Sequence, residues 1–494
     1  MILILKQLPI LQVLIPFISA PICVLIGNRK VAWLISLIAT FLTVIISFLI
    51  LINTSQIKII SYSMGGWKAP LGIEYVIDPL NSLFLVLISG VSFLVVIFSK
   101  EQLSSDLDPK HHTLFYTCLL LCITGLLGVL ITGDVFNVFV FLEISSLATY
   151  VLVAQGYKKN KKALYSAFNY LIMGTVGATF FVIGIGFLYV QTGSLNMLDI
   201  YERIQGDELS KTIQVAYVFI AIGMGLKLAM FPLHMWLPNA YTFSPTLVST
   251  FLSATATKVS MYILIRFTFS VFNFEFDFIE SFFDYLVTPL AIIAMFLMSL
   301  IAIFQKNIKK MLAYSSISQI GYMLLGLSFL NKDGIQATLV TMFNHGITKA
   351  TLFMGLGVFL LKVKIPNLDN LKGLGRKMPF TSLAFFIGCL SLVGIPGTAG
   401  FVSKWLLVET TLNSGNYVFG FLIVLSSLIT FIYVWFVLDN LFLKESTLEF
   451  ENNVVPLSTI FPLWTFAFFC IFFGIFTSLT LTTTDLASNL LFKN

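Results

Sequence analysis

The sequence predicts an all-α polytopic membrane protein of about fourteen spanning helices. Three observations carry that expectation. Hydrophobic residues make up 58% of the 494-residue chain and charged residues 11%, with a mean hydropathy of +0.95. A water-soluble chain carries about a quarter of its residues as charges. Apolar runs of roughly 20 residues recur from end to end, the length a helix needs to cross ~30 Å of hydrocarbon. No stretch is polar enough to form a separate soluble domain.

Hydropathy and turn residues place the spans at 8–27, 31–52, 78–99, 113–132, 134–156, 163–190, 213–237, 245–271, 283–304, 311–330, 336–361, 380–411, 416–442 and 457–481. The first run lacks a small-residue cleavage site and is followed at once by the second, so it reads as a retained helix and not a signal peptide. Loops after odd-numbered spans hold seventeen of the 29 basic residues, among them Lys158, Lys159, Lys161 and Lys162, then Lys306, Lys309 and Lys310. The opposite side holds seven: Lys6, Lys58, Lys68, Arg203, Lys211, Lys332 and Lys493. The positive-inside rule then puts the odd loops in the cytoplasm and both termini on the outer side of the cell inner (plasma) membrane. This asymmetry accounts for the formal charge of +6. It leaves no phosphate-binding face, so nucleic acid is not an expected partner.

Cys23, Cys118, Cys122, Cys389 and Cys470 all lie in apolar stretches. Cys118 and Cys122 are one helical turn apart and follow His111 and His112, yet thiols in such helices usually serve as small hydrophobes. Without a CxxC or CxxCH pattern, neither metal nor cofactor is implied.

Five basic residues fall inside the spans: Lys227, Lys258, Arg266, Lys349 and Lys404. Arg266 is near a helix end, from which it is expected to snorkel to the interface. The four lysines and Glu143 are harder to place. A charge near a helix centre costs about 2.5–3.5 kcal/mol on the insertion scale, and such residues face a bundle interior or water and mark ion pathways. A structural ion pair would explain Glu143 and one lysine but not the set. Hydrocarbon disfavours an ammonium and a nearby carboxylate restores it, so a lysine that gains and loses such a partner can bind and release a proton. Two breaks support this. Lys227 precedes Pro232 in GMGLKLAMFPLHMWLP, and Pro396 and Gly397 precede Lys404 in SLVGIPGTAGFVSKWLL. Interrupted spans free backbone groups, which is tolerated only inside protein or beside a water-filled cavity. One such break in each half suggests inverted repeats. His345 and Lys349 are four apart and share a helix face. His234 follows the first break as a candidate gate, and Asp134 favours the start of the Glu143 helix.

The stretches GDVFNVFVFLEISSLATY, GLKLAMFPLHMWLPNAYTFSPT, KKMLAYSSISQIGYMLLG, FNHGITKATLFMGLG and GIPGTAGFVSKW occur in that order. Together they resemble the antiporter-like membrane subunits shared by Mrp-type cation/proton antiporters and respiratory complex I. The likeness runs from about residue 75 to 440, and the form of the Glu143 helix looks most like the D-type Mrp subunits, then the N, M and L types of complex I. The resemblance implies fourteen helices with inverted repeats over helices 4–8 and 9–13 and with helices 7 and 12 broken. It divides the chain into 1–110, a first repeat at 111–272, a second at 280–445 and a terminal helix within 446–494. It also implies a proton relay through Glu143, Lys227, Lys258, His345, Lys349 and Lys404. Gln319 stands where several relatives carry His. The implied partners are other membrane subunits of a hetero-oligomeric assembly, the lipid bilayer, protons and Na⁺. A transporter subunit without its own redox centre is expected. The alternative is the proton-pumping membrane subunit of a complex I-like quinone oxidoreductase or membrane-bound hydrogenase.

Overall fold

The computed structural model describes residues 7–57, 59–207, 209–363, 365–445 and 455–492. Lys6, Lys58, Lys364 and Lys493 of the loop tally lie outside these. Helices α1 (Leu8–Ile26) and α2 (Arg29–Ile57) lead to a hairpin of β1 (Ile60–Ser63) and β2 (Glu74–Ile77), paired antiparallel with Ile60 opposite Ile77. The hairpin was not expected from the sequence. Then follow α3 (Pro79–Asp106), α4 (His112–Ile131), α5 (Val135–Ala154), α6 (Lys162–Thr192) and the short α7 (Met197–Ile204). A broken span comes next, α8 (Lys211–Leu228) and α9 (Trp236–Phe243). The first half closes with α10 (Thr246–Ala254) and α11 (Ala256–Arg266).

The second half contains α12 (Asp277–Phe282), α13 (Thr288–Ile303), α14 (Ile308–Ser328) and α15 (Lys332–Val363). After α16 (Leu374–Lys377) comes another break, between α17 (Pro379–Val393) and α18 (Ala399–Asn413). Helices α19 (Tyr417–Leu438), α20 (Leu457–Ile475) and α21 (Ser478–Leu491) complete the chain. Each of the fourteen expected spans meets a helix or a pair of helices. Among the described residues twelve helices are long and apolar enough to cross a membrane, or thirteen counting one bent pair, Leu368–Lys377 with Pro379–Val393 at 118°. The shortfall from fourteen has a physical cause. Helix α14 carries Lys309, Lys310, Gln319 and several Ser residues and is almost wholly buried, so it needs no lipid-compatible surface.

Helix α15 is the axis of the bundle. It packs against α3, α10, α14, α17, α18, α20 and α21, and Asn344, His345, Thr348 and Lys349 along it are all buried. Polar residues at these positions are sheltered from lipid on every side. The outer helices show the reverse pattern: α1, α2, α6 and α19 turn Leu, Ile and Phe outward, as at Leu25, Phe48, Phe168 and Phe421. Helices α6 and α8 approach closely through Gly177 and Gly223, where an added methyl at Gly223 would come within 2.6 Å of the Gly177 carbonyl. Such small-residue contacts let membrane helices pack without a hydrophobic drive.

Candidate functional site

Helix α5 begins at Asp134, whose carboxylate accepts from the Asn137 amide at 2.7 Å and so caps the helix. This cap satisfies a free amide donor at the positive helix end, and it stands more than two turns from Glu143. Helix α8 stops at Leu228 because Ala229 takes a left-handed conformation (φ 63°). The break therefore starts ahead of Pro232, earlier than the sequence suggested. Lys227 occupies the last turn of α8, where the helix dipole favours a cation. Its Nζ donates to Glu143 Oε1 at 3.2 Å and to Ser146 Oγ at 2.6 Å. Lys227 is buried and Glu143 only partly so, with 24% of its side chain exposed. The pair thus connects the interior to the bundle's flank.

Lys258, Lys349 and Lys404 have no carboxylate partner among the described residues, and backbone carbonyls take that place. Lys258 is fully buried, and its Nζ donates to the Ser253 carbonyl at 2.5 Å and to Thr257 Oγ1 at 3.3 Å. Ser253 lies in the last turn of α10, which ends because Thr255 leaves helical geometry (φ −120°, ψ −62°). Lys404 donates to the Val393 carbonyl at 2.7 Å, the last residue of α17, and stands 5.3 Å from the Tyr322 ring centroid. Helix C-termini leave carbonyls without intrahelical donors, so each break supplies an acceptor where a cation sits. At the second break Gly394 adopts φ 87° and Gly397 φ 85°, conformations that favour glycine. Lys349, on α15, donates to the Leu312 carbonyl at 2.8 Å and to Ser315 Oγ at 2.5 Å on α14.

His345 lies one turn before Lys349 on α15, which packs against α10 and against α11, the helix that carries Lys258. Among the described residues neither ring nitrogen of His345 has a hydrogen-bond partner, nor does Gln319 Nε2. Both residues line one small cavity with Thr341, Thr348, Ser403 and Lys404, with about 10 Å³ for the centre of a water molecule. That is room for a single water with several polar partners. Lys258, His345 and Lys349 thus form a central cluster, and the cavity links it to Lys404. His234 lies in the turn after α8, buried, with its Nδ1 unpartnered and its ring 5.4 Å from that of Phe231.

Two expectations are corrected. Arg266 does not snorkel: it is buried and forms an ion pair with the equally buried Asp78 at 2.7 Å, while its Nε donates to Tyr262 Oη at 3.2 Å. Asp78 also caps α3, and Tyr262 reaches the Leu130 carbonyl, so this polar cluster ties three helices together. A sequence signal for it existed in the spacing of Lys258, Tyr262 and Arg266, four apart on one face. Lys309 is not a loop residue: it lies in the first turn of α14, buried, donating to the Ser244 carbonyl at 3.0 Å.

Broken helices that carry cations into the centre of a multi-pass bundle define the class of antiporter-like membrane proteins. The chain belongs to the NADH:quinone oxidoreductase/Mrp antiporter transmembrane family, which matches residues 132–430, and residues 63–112 match the N-terminus of NADH-ubiquinone oxidoreductase (complex I) chain 5. It is 38% identical over 390 residues to the N-type subunit of the NADH-quinone oxidoreductase of Desulforudis audaxviator, covering 78% of this chain and 75% of that one. It is 30% identical over 438 residues to the D-type subunit of the Na⁺/H⁺ antiporter of Alkalihalophilus pseudofirmus, covering 87% of each. The fold is that of a chain in the Mrp complex from Dietzia sp. DQ12-45-1b, with a TM-score of 0.91, 21% identity and coverage of 99% and 98%. The likeness to the oxidoreductase protein is higher in identity and that to the antiporter protein longer in extent.

Proposed function

We propose that the chain is the proton-translocating membrane subunit of a multisubunit Na⁺/H⁺ antiporter. The observation that carries the reading is a set of buried ammonium groups held chiefly by backbone carbonyls and hydroxyls, with one carboxylate, Glu143, at the edge of the set. A purely structural ion pair would match charges one to one. A proton reaches the Glu143–Lys227 pair, Lys258 and the His345/Lys349 pair pass it along the midplane, and Lys404 governs release. Residues 111–272 and 280–445 act as inverted repeats around this line, with His234, Pro232, Pro396 and Gly397 at the moving joints. Coupling is electrostatic: two unit charges ~6 Å apart at an effective dielectric near 20 repel by about 3 kcal/mol, so loading one lysine discourages loading its neighbour.

The lysine-rich loops face the cytoplasm, both termini face outward from the plasma membrane, and other membrane subunits complete the assembly. The identity to an oxidoreductase protein of the N type favours a second reading, the pump module of a redox complex. A gentle-detergent pull-down from the native membrane separates the two. Small membrane proteins as co-purifying partners support the antiporter, whereas a peripheral arm with flavin and iron–sulfur proteins contradicts it.

A further inference from the structure

Between α2, α3, α15, α20 and α21, within the spanning part of the bundle, lies a cavity of about 540 Å³. Its lining is apolar except for Thr465, Thr480 and Thr483, and each of those hydroxyls donates to a carbonyl three or four residues earlier in its own chain segment. No polar atom there calls for an ion or a water, and an apolar cavity of this kind stays dry. Left empty, its walls would forfeit dispersion contacts. The cavity is long. It runs along α3 from Leu83 to Leu94 and along α20 from Phe461 to Phe473, about 17–18 Å at 1.5 Å per residue. Half of the hydrocarbon core is ~15 Å thick, so the length is that of one acyl chain of one leaflet. Midway, Gly90 leaves the wall open: a methyl added there would meet nothing within 4 Å.

The same helix faces lead on to a cation. On α3, Val86, Gly90 and Phe93 continue at intervals of four and three residues to Ile97 and Lys100. On α2, Phe48 and Val44 continue to Phe41, Leu37 and Trp33. The Lys100 ammonium stands 5.1 Å from the centroid of the Trp33 ring and forms no ion pair among the described residues. It lies about 9 Å beyond Leu94 toward the lysine-rich end of the bundle. A Trp beside a Lys at the ends of two spans marks the headgroup level of a bilayer.

We propose that this cavity binds one acyl chain of an anionic phospholipid whose phosphate is held by Lys100, in the leaflet on the lysine-rich side. Charge selects the headgroup, because basic residues at that level attract negative lipids. The dry channel takes the tail. Phe343 and Ile347 of α15 form part of its wall; they are four apart on one face, and His345 between them points the other way, into the cavity it shares with Lys404. The lipid therefore packs the back of the axis helix at the turn that carries His345. Such a site would serve an antiporter and a redox pump alike.

The test uses the intact assembly purified in mild detergent and stripped of weakly held lipid. It is incubated with phosphatidylglycerol or phosphatidylcholine carrying a photoreactive diazirine midway along one acyl chain. Phosphatidylglycerol should label Phe48, Phe469 or Phe472 in the cavity wall, read by peptide mass spectrometry. Unlabelled phosphatidylglycerol should compete, and inorganic phosphate should not. Gly90→Leu should cut labelling by on the order of tenfold or more with partner subunits still co-purifying, since the added side chain displaces at least two methylenes of the tail. Lys100→Gln, at an exposed position, should leave the cavity labelled but lower the preference for phosphatidylglycerol about fivefold, the worth of one lysine at a membrane surface. Equal labelling by the two lipids in the wild type would overturn the proposal, as would undiminished labelling in Gly90→Leu. Displacement by inorganic phosphate would overturn it by placing a free anion at Lys100. A neighbouring subunit's helix crosslinked in the cavity in place of lipid would overturn it too.

Discussion

Replacing Glu143 by Gln tests the only carboxylate that contacts a midplane lysine among the described residues. The substitution keeps shape and hydrogen-bonding capacity and removes the charge. At the observed 3.2 Å and an effective dielectric near 20, the attraction to Lys227 is about 5 kcal/mol. A quarter of the Glu143 side chain is exposed, and water there weakens the attraction to ~3 kcal/mol, the lower end of what breaking a buried pair costs. If the charged pair is the loaded state, its loss slows proton loading by a factor of about 100. Proton flux in proteoliposomes containing the full assembly measures this directly, with co-purification of partner subunits as the control for folding. Ser146→Ala should cause a smaller loss, since it removes one charge-assisted hydrogen bond worth ~1.5–3 kcal/mol and leaves the pair. Flux in Glu143→Gln within threefold of wild type would refute the assignment of the pair as a loading site.

Three further outcomes follow from the same geometry. Arg266→Met should destabilise the assembly by about 3–5 kcal/mol because Asp78 is left buried and unpaired; thermal inactivation should shift accordingly and recover in Arg266→Met/Asp78→Asn. Gly400→Ala should abolish assembly or flux, because its methyl would land on the Ser391 backbone carbonyl across the second break; wild-type flux would show that this contact relaxes freely. His345→Leu should cut flux at least tenfold with assembly intact, since it removes a polar wall of the cavity reaching Lys404; unchanged flux would separate that cavity from the proton path.

Much of this arrangement was legible in the sequence, and what was hidden has a common cause. Spans announce themselves by length and apolarity, and lysines inside them stand out because hydrocarbon makes charge expensive. Pro232 and the Pro396–Gly397 pair marked both breaks to within a few residues. The acceptors for Lys258 and Lys404 were not legible, because a carbonyl freed at Ser253 or Val393 depends on where a helix stops, and no side chain records it. Arg266 looked peripheral because its partner, Asp78, belongs to a helix far away in sequence. Lys309 looked like a loop residue because it sits beside Lys306 and Lys310, and only the packing of α14 against the Ser244 turn buries it. The β1–β2 hairpin was missed because its strands are four residues each, too short for alternation to register.

The proposed function has the assembly exchange protons for Na⁺ without a redox reaction. The most direct measurement imposes a Na⁺ gradient across liposomes holding the purified assembly, with no electron donor or acceptor present, and follows internal pH. Antiport produces proton movement against the Na⁺ flow that disappears in Lys227→Ala. Proton movement that starts only when an electron donor and quinone are added would contradict it and assign the chain to a redox-driven pump.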